Sequence, residues 1–223
     1  MIKGYLEVLR PGINSTFQDL GRYGLHHIGI PLSGVMDKRN YLIGNKLVSN
    51  KTNLAAIEFA YQGPILKINS ANVIAAITGN VSFKILRSSS KIEEGKCYET
   101  FELNHGDQID IISTNKSVYG YMSIQGGFEL ESNWESFSVN TRAKVGPNDG
   151  DKFFLDQKLF IKSKENKFQK KNIKYLNSKI EFIRVLKGTN FNYFSEEGKS
   201  NFFDKEFIVS KLTDRMGMRI EGS

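Results

Sequence analysis

The sequence predicts an all-β protein with few helices, and three observations carry that reading. Short runs that alternate apolar and polar residues, or are apolar throughout, follow one another at close spacing. Glycine, proline and asparagine punctuate the runs as turn residues. The 16 Phe and 9 Tyr suit pleated, half-buried surfaces better than helix faces. A barrel or a sandwich of short strands fits this pattern.

Residues 4–9, GYLEVL, alternate and stop at the turn Arg10-Pro11-Gly12. Residues 21–37, GRYGLHHIGIPLSGVMD, read as an irregular loop. DKRNYLIGNKLVSN is the helix candidate, with Asp37 as its cap and Tyr41, Leu42, Asn45 and Val48 approximating one face. AAIEFAYQGPILKI gives two strands broken at Gly63-Pro64, and ANVIAAITG is a buried strand that ends at Thr78-Gly79-Asn80. VSFKILR and KCYETFEL are strands. A tight turn at Gly106-Asp107 leads into QIDIIS, and VYGYMSIQGG ends in Gly126-Gly127. The expected organisation is a β-rich section over 1–158, a basic linker or surface excursion over 159–176, and a second β section over 177–223 that begins at KIEFIRVLKG.

Composition excludes several classes. Hydrophobic residues are 39%, enough for a core. The net charge of +7 comes from lysines scattered through loops, with no arginine-rich stripe and no aromatic-interleaved RNA motif, so no nucleic-acid partner is expected. Cys97 is the one cysteine, which rules out a disulfide within the chain and a cysteine metal cluster and fits a reducing, cytoplasmic compartment. No segment reads as a signal peptide or a membrane span, so no membrane partner is expected.

Several chemical motifs fail on spacing. EEGKS, residues 196–200, ends like a phosphate-binding loop, but the required leading glycine is Tyr193, so it reads as a polar turn. G-x-G-x-x-G and G-x-S-x-G are absent. His26, His27 and His105 lack zinc-site spacing, and no metal site is expected. No biotin-attachment motif occurs, so any biotin would arrive on another chain.

The loop at 21–37 is where chemistry concentrates. Its glycines and Pro31 specify a rigid, irregular backbone, and such loops commonly hold binding groups. Around them stand Gln18, Asp19, Arg22, His26, His27, Ser33 and Asp37. Plainer roles exist for each: Asp19 and Arg22 can pair across a turn, Ser33 can bond local backbone, and Asp37 can cap the helix.

TFQDLGRYGLHHIGIPLSGVMD resembles the opening signature of the allophanate hydrolase subunit 2 family, also called the biotin-dependent carboxyltransferase family. Thr16, Gln18, Asp19, Gly21, Arg22, Gly24, Gly29, Pro31, Ser33, Gly34 and Asp37 fill its fixed positions, and His27 stands where histidine is common. The next block matches through Asn45, Glu58, Gly63 and Pro64, and GYMSIQGGFE resembles a later strand-and-glycine segment. FIVSKLTDRMGMRIEG resembles a further block through Ser210, Asp214, Arg215, Met216, Gly217, Arg219 and Gly222. WESFSVNTRAKVGP keeps Ser136, Ser138, Arg142 and Gly146 but has Val139 and Pro147 where the family has threonine and glycine.

The resemblance implies a cyclophilin-like β-barrel, incomplete at the C-terminal side, because family members continue with a further β-rich section. It implies the role of the C-type (KipA-like) component of a 5-oxoprolinase. Two partner subunits, one B-type and KipI-like and the other A-type, would work with it, and ATP hydrolysis would drive opening of the cyclic amide 5-oxo-L-proline to L-glutamate. Under that resemblance, Arg22 and Arg215 would clamp an anionic group, His27 would act as general acid/base with Asp37 orienting it or the substrate, and Gly126 and Gly127 would donate N–H groups. Ser33, Asn45, Glu58 and Arg142 complete the expected substrate-binding set. Two alternatives stand beside it. One is the carboxyltransferase component of a biotin-dependent urea carboxylase/allophanate system, and the other is a non-catalytic KipA-like regulator that binds a KipI-like kinase inhibitor.

Overall fold

A computed structural model describes residues 4–70, 72–162, 168–174, 182–215 and 217–222. The chain divides into two compact units, Met1–Tyr175 and Leu176–Ser223. The first holds β1 (Tyr5–Arg10), β2 (Asn14–Gln18), α1 (Lys38–Leu47), β3 (Ala56–Ala60), β4 (Ile65–Asn69), β5 (Val73–Thr78), β6 (Val81–Leu86), β7 (Ile92–Glu94), β8 (Thr100–Leu103), β9 (Gln108–Thr114), β10 (Tyr119–Ile124) and β11 (Lys158–Phe160).

These strands form two antiparallel sheets. One runs β11-β1-β4-β9-β6-β7 and the other β2-β3-β10-β5-β8. A single core lies between them. Leu6, Leu66, Ile68, Phe83, Ile109 and Ile111 face it from the first sheet, and Phe17, Ile57, Phe59, Ile77, Met122 and Ile124 from the second. The all-β class stands, but the expected barrel is instead two open sheets in a sandwich. Alternation of apolar residues is the same in both architectures and does not distinguish them. The sheet edges are managed by other means: backbone N–H groups of Val139 and Phe153 bond Phe17 and Ser15 of β2, and β7 is short and charged.

The helix covers the outer face of the second sheet. Tyr41 packs on Ala56 and Tyr121, and Leu47 and Val48 pack on Ala76. Strands β3 and β5 are therefore buried at every position, which is why their sequences lack polar alternation. The first sheet keeps one solvated face, and β6 alternates accordingly.

Four elements depart from the sequence reading. Strand β2 is missed because its polar Ser15, Thr16 and Gln18 are buried. The stretch expected as a linker over 159–176 begins inside β11, with Leu159 and Ile161 buried among lysines. Further along it, Lys171 exchanges bonds with Thr100, and the N–H of Ile173 donates to Tyr98 O, so this part lies against the first unit. Residues 163–167 and 175–181 lie outside the described residues.

In the second unit, EEGKS is the first part of a helix, α2 (Glu196–Asp204), rather than a polar turn. Ser195 caps it by accepting from Gly198 N at 3.1 Å, and Glu196 and Glu197 complement the helix dipole. Strands β12 (Phe207–Asp214) and β13 (Gly217–Gly222) pair antiparallel. Of the strand expected at KIEFIRVLKG, residues 179–181 lie outside the described residues and 182–188 form no strand. Among the described residues no helix is long and apolar enough to cross a membrane.

An ion-pair network joins the end of β6 to β7, β8 and the turn before β9. Arg87 donates to Glu93 at 2.7 Å, to Asp107 at 2.8 Å and to the Glu102 carbonyl at 2.8 Å. Burial pushes the Asp107 carboxyl up, but N–H donors from Asn104 and Ser88 and the Arg87 guanidinium outweigh it and hold the carboxyl below its usual value. Hydrogen bonds from Arg87 and Lys91 lower Glu93 to about 2. Both folded values are depressed, so this stabilisation is complete above the unfolded carboxylate range and is lost as pH falls through the folded values. Arg87→Met is expected to cost about 2 kcal/mol near neutral pH. In thermal unfolding at a series of pH values, its gap from the parent chain should close between about pH 4 and pH 2.

Candidate functional site

The loop that follows β2 is held at its root by a buried carboxylate. Asp19 is fully buried, and its Oδ1 accepts from Gly21 N at 2.8 Å, Ser136 Oγ at 2.7 Å and Ser138 Oγ at 2.6 Å. Its Oδ2 accepts from Phe137 N at 2.8 Å. Four donors thus compensate a charge that would otherwise be costly to bury. Arg22, 2% exposed, donates to the Ser138 carbonyl, to Ser33 Oγ at 3.1 Å and to the Asn133 carbonyl at 3.5 Å. Burial lowers the pKa of Arg22, and the nearby charge of Asp19 opposes that effect. The two charges meet through Ser138, whose hydroxyl serves one and whose carbonyl serves the other.

The two arms of the loop touch backbone to backbone. Gly21 has φ +89°, and a Cβ there would lie 2.6 Å from the Leu32 carbonyl oxygen. Gly34 has φ +91° and faces Leu20 at 3.0 Å in the same way. Both positions require glycine on conformation and on space.

The far end of the loop is fixed to the second sheet. Glu58 on β3 accepts from Met36 N at 2.8 Å and from the Tyr121 hydroxyl at 2.7 Å, and that hydroxyl accepts from Asp37 N at 2.6 Å. Burial, with the Glu58 charge, pushes the Tyr121 hydroxyl far up, so it stays protonated and donates to Glu58. The Asp37 carboxylate accepts from Asn40 N at 3.0 Å and Asn40 Nδ2 at 2.6 Å, capping α1. Asp37 and Glu58 are therefore anchors in this structure, engaged with protein groups.

Between these anchors the loop is exposed. His26 and His27 stand on one turn of 3-10 helix, His26–Ile28, and neither side chain makes a hydrogen bond among the described residues. Ser33 Oγ, bonded to Arg22, also accepts from Asn140 Nδ2 at 3.3 Å. Asn140 Oδ1 in turn accepts from the backbone N–H of the exposed Arg142. Arg22, Ser33 and Arg142 are thus joined through one set of contacts, with His27 on the same loop as the first two.

The other expected residues fall elsewhere. Asn45 donates to the Leu54 carbonyl at 2.9 Å and accepts from Asn50 Nδ2 at 2.9 Å. Gly126 N donates to Asn50 Oδ1 at 2.9 Å and Gly127 N to the Ile124 carbonyl at 3.1 Å, so the N–H groups expected to face substrate are already engaged. A cavity of about 300 Å³ opens beside this cluster, lined by Ser49, Ile74, Thr100, Gln125, Gln169 and Lys171 among others. Arg215 belongs to the second unit. The sequence reading passed over Asn50 and Tyr121, which join the others; a buried asparagine or tyrosine has no spacing signature that marks it.

Residues 28–223 match the model of the carboxyltransferase domain, subdomain A and B, and the chain belongs to that family. It is 27% identical over 225 residues to the C-type subunit of the 5-oxoprolinase of Haemophilus influenzae, covering 97% of this chain and 68% of that protein. It is also 27% identical over 233 residues to the urea amidolyase of Saccharomyces cerevisiae, of which it covers 12%. The crystal structure of the Kluyveromyces lactis urea carboxylase superposes on all of this chain with a TM-score of 0.82 at 24% identity, and the match takes in 21% of that enzyme. The chain therefore spans about two thirds of the one relative and a small part of the other two.

Removing the Asp19 carboxylate leaves four buried donors unpaired and Arg22 without its compensating charge. Asp19→Ala is expected to lower stability by about 3–5 kcal/mol, whereas Asp37→Ala, which removes a cap, should cost only about 1 kcal/mol. Chemical denaturation of the two variants checks the order; equal losses would contradict it.

Proposed function

We propose that this chain is the C-type component of an ATP-dependent 5-oxoprolinase, working with KipI-like (B-type) and A-type partner subunits to open 5-oxo-L-proline to L-glutamate. The observation that carries the reading is 27% identity over 97% of the chain with the C-type subunit of a 5-oxoprolinase, 68% of which is covered, against 12% of urea amidolyase. The site geometry supports it in one respect: a loop held at both ends carries an exposed histidine together with a serine that is bonded to Arg22 and, through Asn140, linked to the backbone of Arg142. A five-membered lactam is a poor electrophile. Transferring a phosphoryl group from ATP to its amide oxygen would open the ring carbon to water; the ring nitrogen then leaves as the amine, and the acyl phosphate that remains is hydrolysed by a second water to the carboxylate and inorganic phosphate. In this reading His27 moves the proton to the departing ring nitrogen, Ser33 and Arg142 orient the substrate, and Arg22 acts by holding Ser33 in place.

The G-K-S run of this chain lies inside α2 rather than in a strand-to-helix loop, so it forms no phosphate cradle. A second reading has its own observation, the similarity to urea amidolyase: carboxyl transfer from carboxybiotin on another chain to a urea-like amide.

The test mixes this chain with its two partner subunits and follows 5-oxoproline-dependent ATP hydrolysis and glutamate release together. Coupled turnover is expected in the mixture and in none of the three chains by itself. His27→Ala should lower turnover about 100-fold while the complex stays assembled. Turnover that needs a biotinylated carrier would favour carboxyl transfer. A stable complex with the KipI-like partner that never turns over would favour the regulator.

A further inference from the structure

We propose that Ser33 and Trp134 form an amide-recognition subsite, in which the Ser33 hydroxyl donates to the carbonyl oxygen of a small amide and the Trp134 indole packs on the flat face of that amide. The inference rests on the amide-substrate reading above, and it holds for a lactam or for a urea-like amide.

The first observation is the state of the Ser33 hydroxyl. Its oxygen accepts from Arg22 Nη1 at 3.1 Å and from Asn140 Nδ2 at 3.3 Å. The orientation of the Asn140 amide is fixed from its other side, because Asn140 Oδ1 accepts from Arg142 N at 3.1 Å and from Ala143 N at 2.9 Å. A serine oxygen has two lone pairs and one proton. Both lone pairs of Ser33 are thus used, and among the described residues nothing accepts its proton. Ser33 is held as a donor, and the group it suits is a carbonyl oxygen.

The second observation is a strained turn. Asn133 and Ser136 exchange backbone hydrogen bonds, at 2.9 Å and 3.2 Å, across Trp134 and Glu135. Both central residues are left-handed, with φ +49° and +58°. A two-residue hairpin turn of this kind ordinarily takes Asn-Gly, since most side chains are strained there. The turn is held from outside: Ser136 Oγ donates to Asp19 at 2.7 Å, and the Asn133 carbonyl accepts from Arg22 Nε at 3.5 Å. Strain that the surroundings hold in place clusters at ligand sites. Here it presents the one tryptophan of the chain, half exposed.

One guanidinium joins the two features. Arg22 bonds the Asn133 carbonyl through Nε and the Ser33 hydroxyl through Nη1, so the residue before Trp134 and the Ser33 donor are set on the same planar group. A hydroxyl donor and an aromatic ring placed by one arginine suit a small amide: the first fixes its oxygen and the second covers its face.

Fluorine NMR tests this on the full chain labelled with 5-fluorotryptophan, by itself and mixed with its unlabelled partner subunits, since Trp134 gives the one signal. 5-Oxo-L-proline is expected to shift that signal, and L-proline, which lacks the ring carbonyl, to leave it unchanged at the same concentration. Ser33→Ala should raise the midpoint of the titration about fivefold. In calorimetry on the same two samples, Trp134→Ala should weaken 5-oxo-L-proline binding about fivefold and Trp134→Phe should recover the loss. A shift with urea but not with 5-oxo-L-proline keeps the subsite and removes the 5-oxoprolinase reading, and so does a 5-oxo-L-proline shift in a mixture that shows no coupled turnover. No shift with either amide in either sample overturns the subsite, as does an equal shift with L-proline or binding that Trp134→Ala leaves unchanged.

Discussion

Everything around the candidate site depends on one buried charge. Asp19 sits at the end of β2 with no solvent to stabilise its carboxylate, and four hydrogen bonds from two loops do so instead. Those bonds bring residues 136–138 against the root of the 21–37 loop. Once they are there, the Ser138 carbonyl becomes available to Arg22, and Arg22 in turn fixes Ser33. A neutral residue at position 19 would leave this set of donors without an acceptor and the guanidinium without a compensating charge.

The second constraint acts from the sandwich. Sheet two has a core on one face and α1 on the other, so the loop that joins β2 to α1 must start and finish over a fully buried layer. Its backbone N–H groups at Met36 and Asp37 then need protein acceptors, and Glu58 and Tyr121 supply them. The loop is fixed at both ends for reasons of burial, and only its middle is free to meet another molecule. The fixed ends also account for how the expected residues divide: Asp37, Glu58 and Arg22 hold the loop, His27 is exposed on it, Ser33 is half-buried against Arg22, and the exposed Arg142 lies on another segment joined to Ser33 through Asn140.

Much of the fold was legible in the sequence. Alternation and apolar runs gave β1, β3 to β6 and β8 to β10, and Asp37 marked the start of α1. The rest was hidden for physical reasons. The polar side chains of β2 are buried because they hydrogen-bond inward, which no hydropathy pattern shows. Leu159 and Ile161 of β11 are too few to stand out among lysines, and Gly198 disguised α2. Nor does composition separate an open sandwich from a closed barrel. Glycine density marked residues 21–37 as an irregular loop, and the structure shows one. Asp37 was read both as the cap of α1 and, through the resemblance, as a site residue; the structure shows the cap, and it shows Glu58, expected only through the resemblance, bonded to Met36 and Tyr121. The family itself was legible from the spacing of the loop residues, and the match over residues 28–223 bears it out.

Amide hydrogen exchange, read residue by residue on the full chain, tests the central claim that this loop is anchored at both ends and open in the middle. The N–H of Gly21 is bonded to Asp19 Oδ1, that of Arg22 to the Leu32 carbonyl, and that of Val35 to the Asp19 carbonyl. With Met36 and Asp37, these amides are predicted to exchange as slowly as the strands of the second sheet, while Tyr23, Gly24 and His27 exchange quickly. Uniformly fast exchange from 20 to 37 would contradict the account, because it would mean that the buried carboxylate does not hold the loop at all.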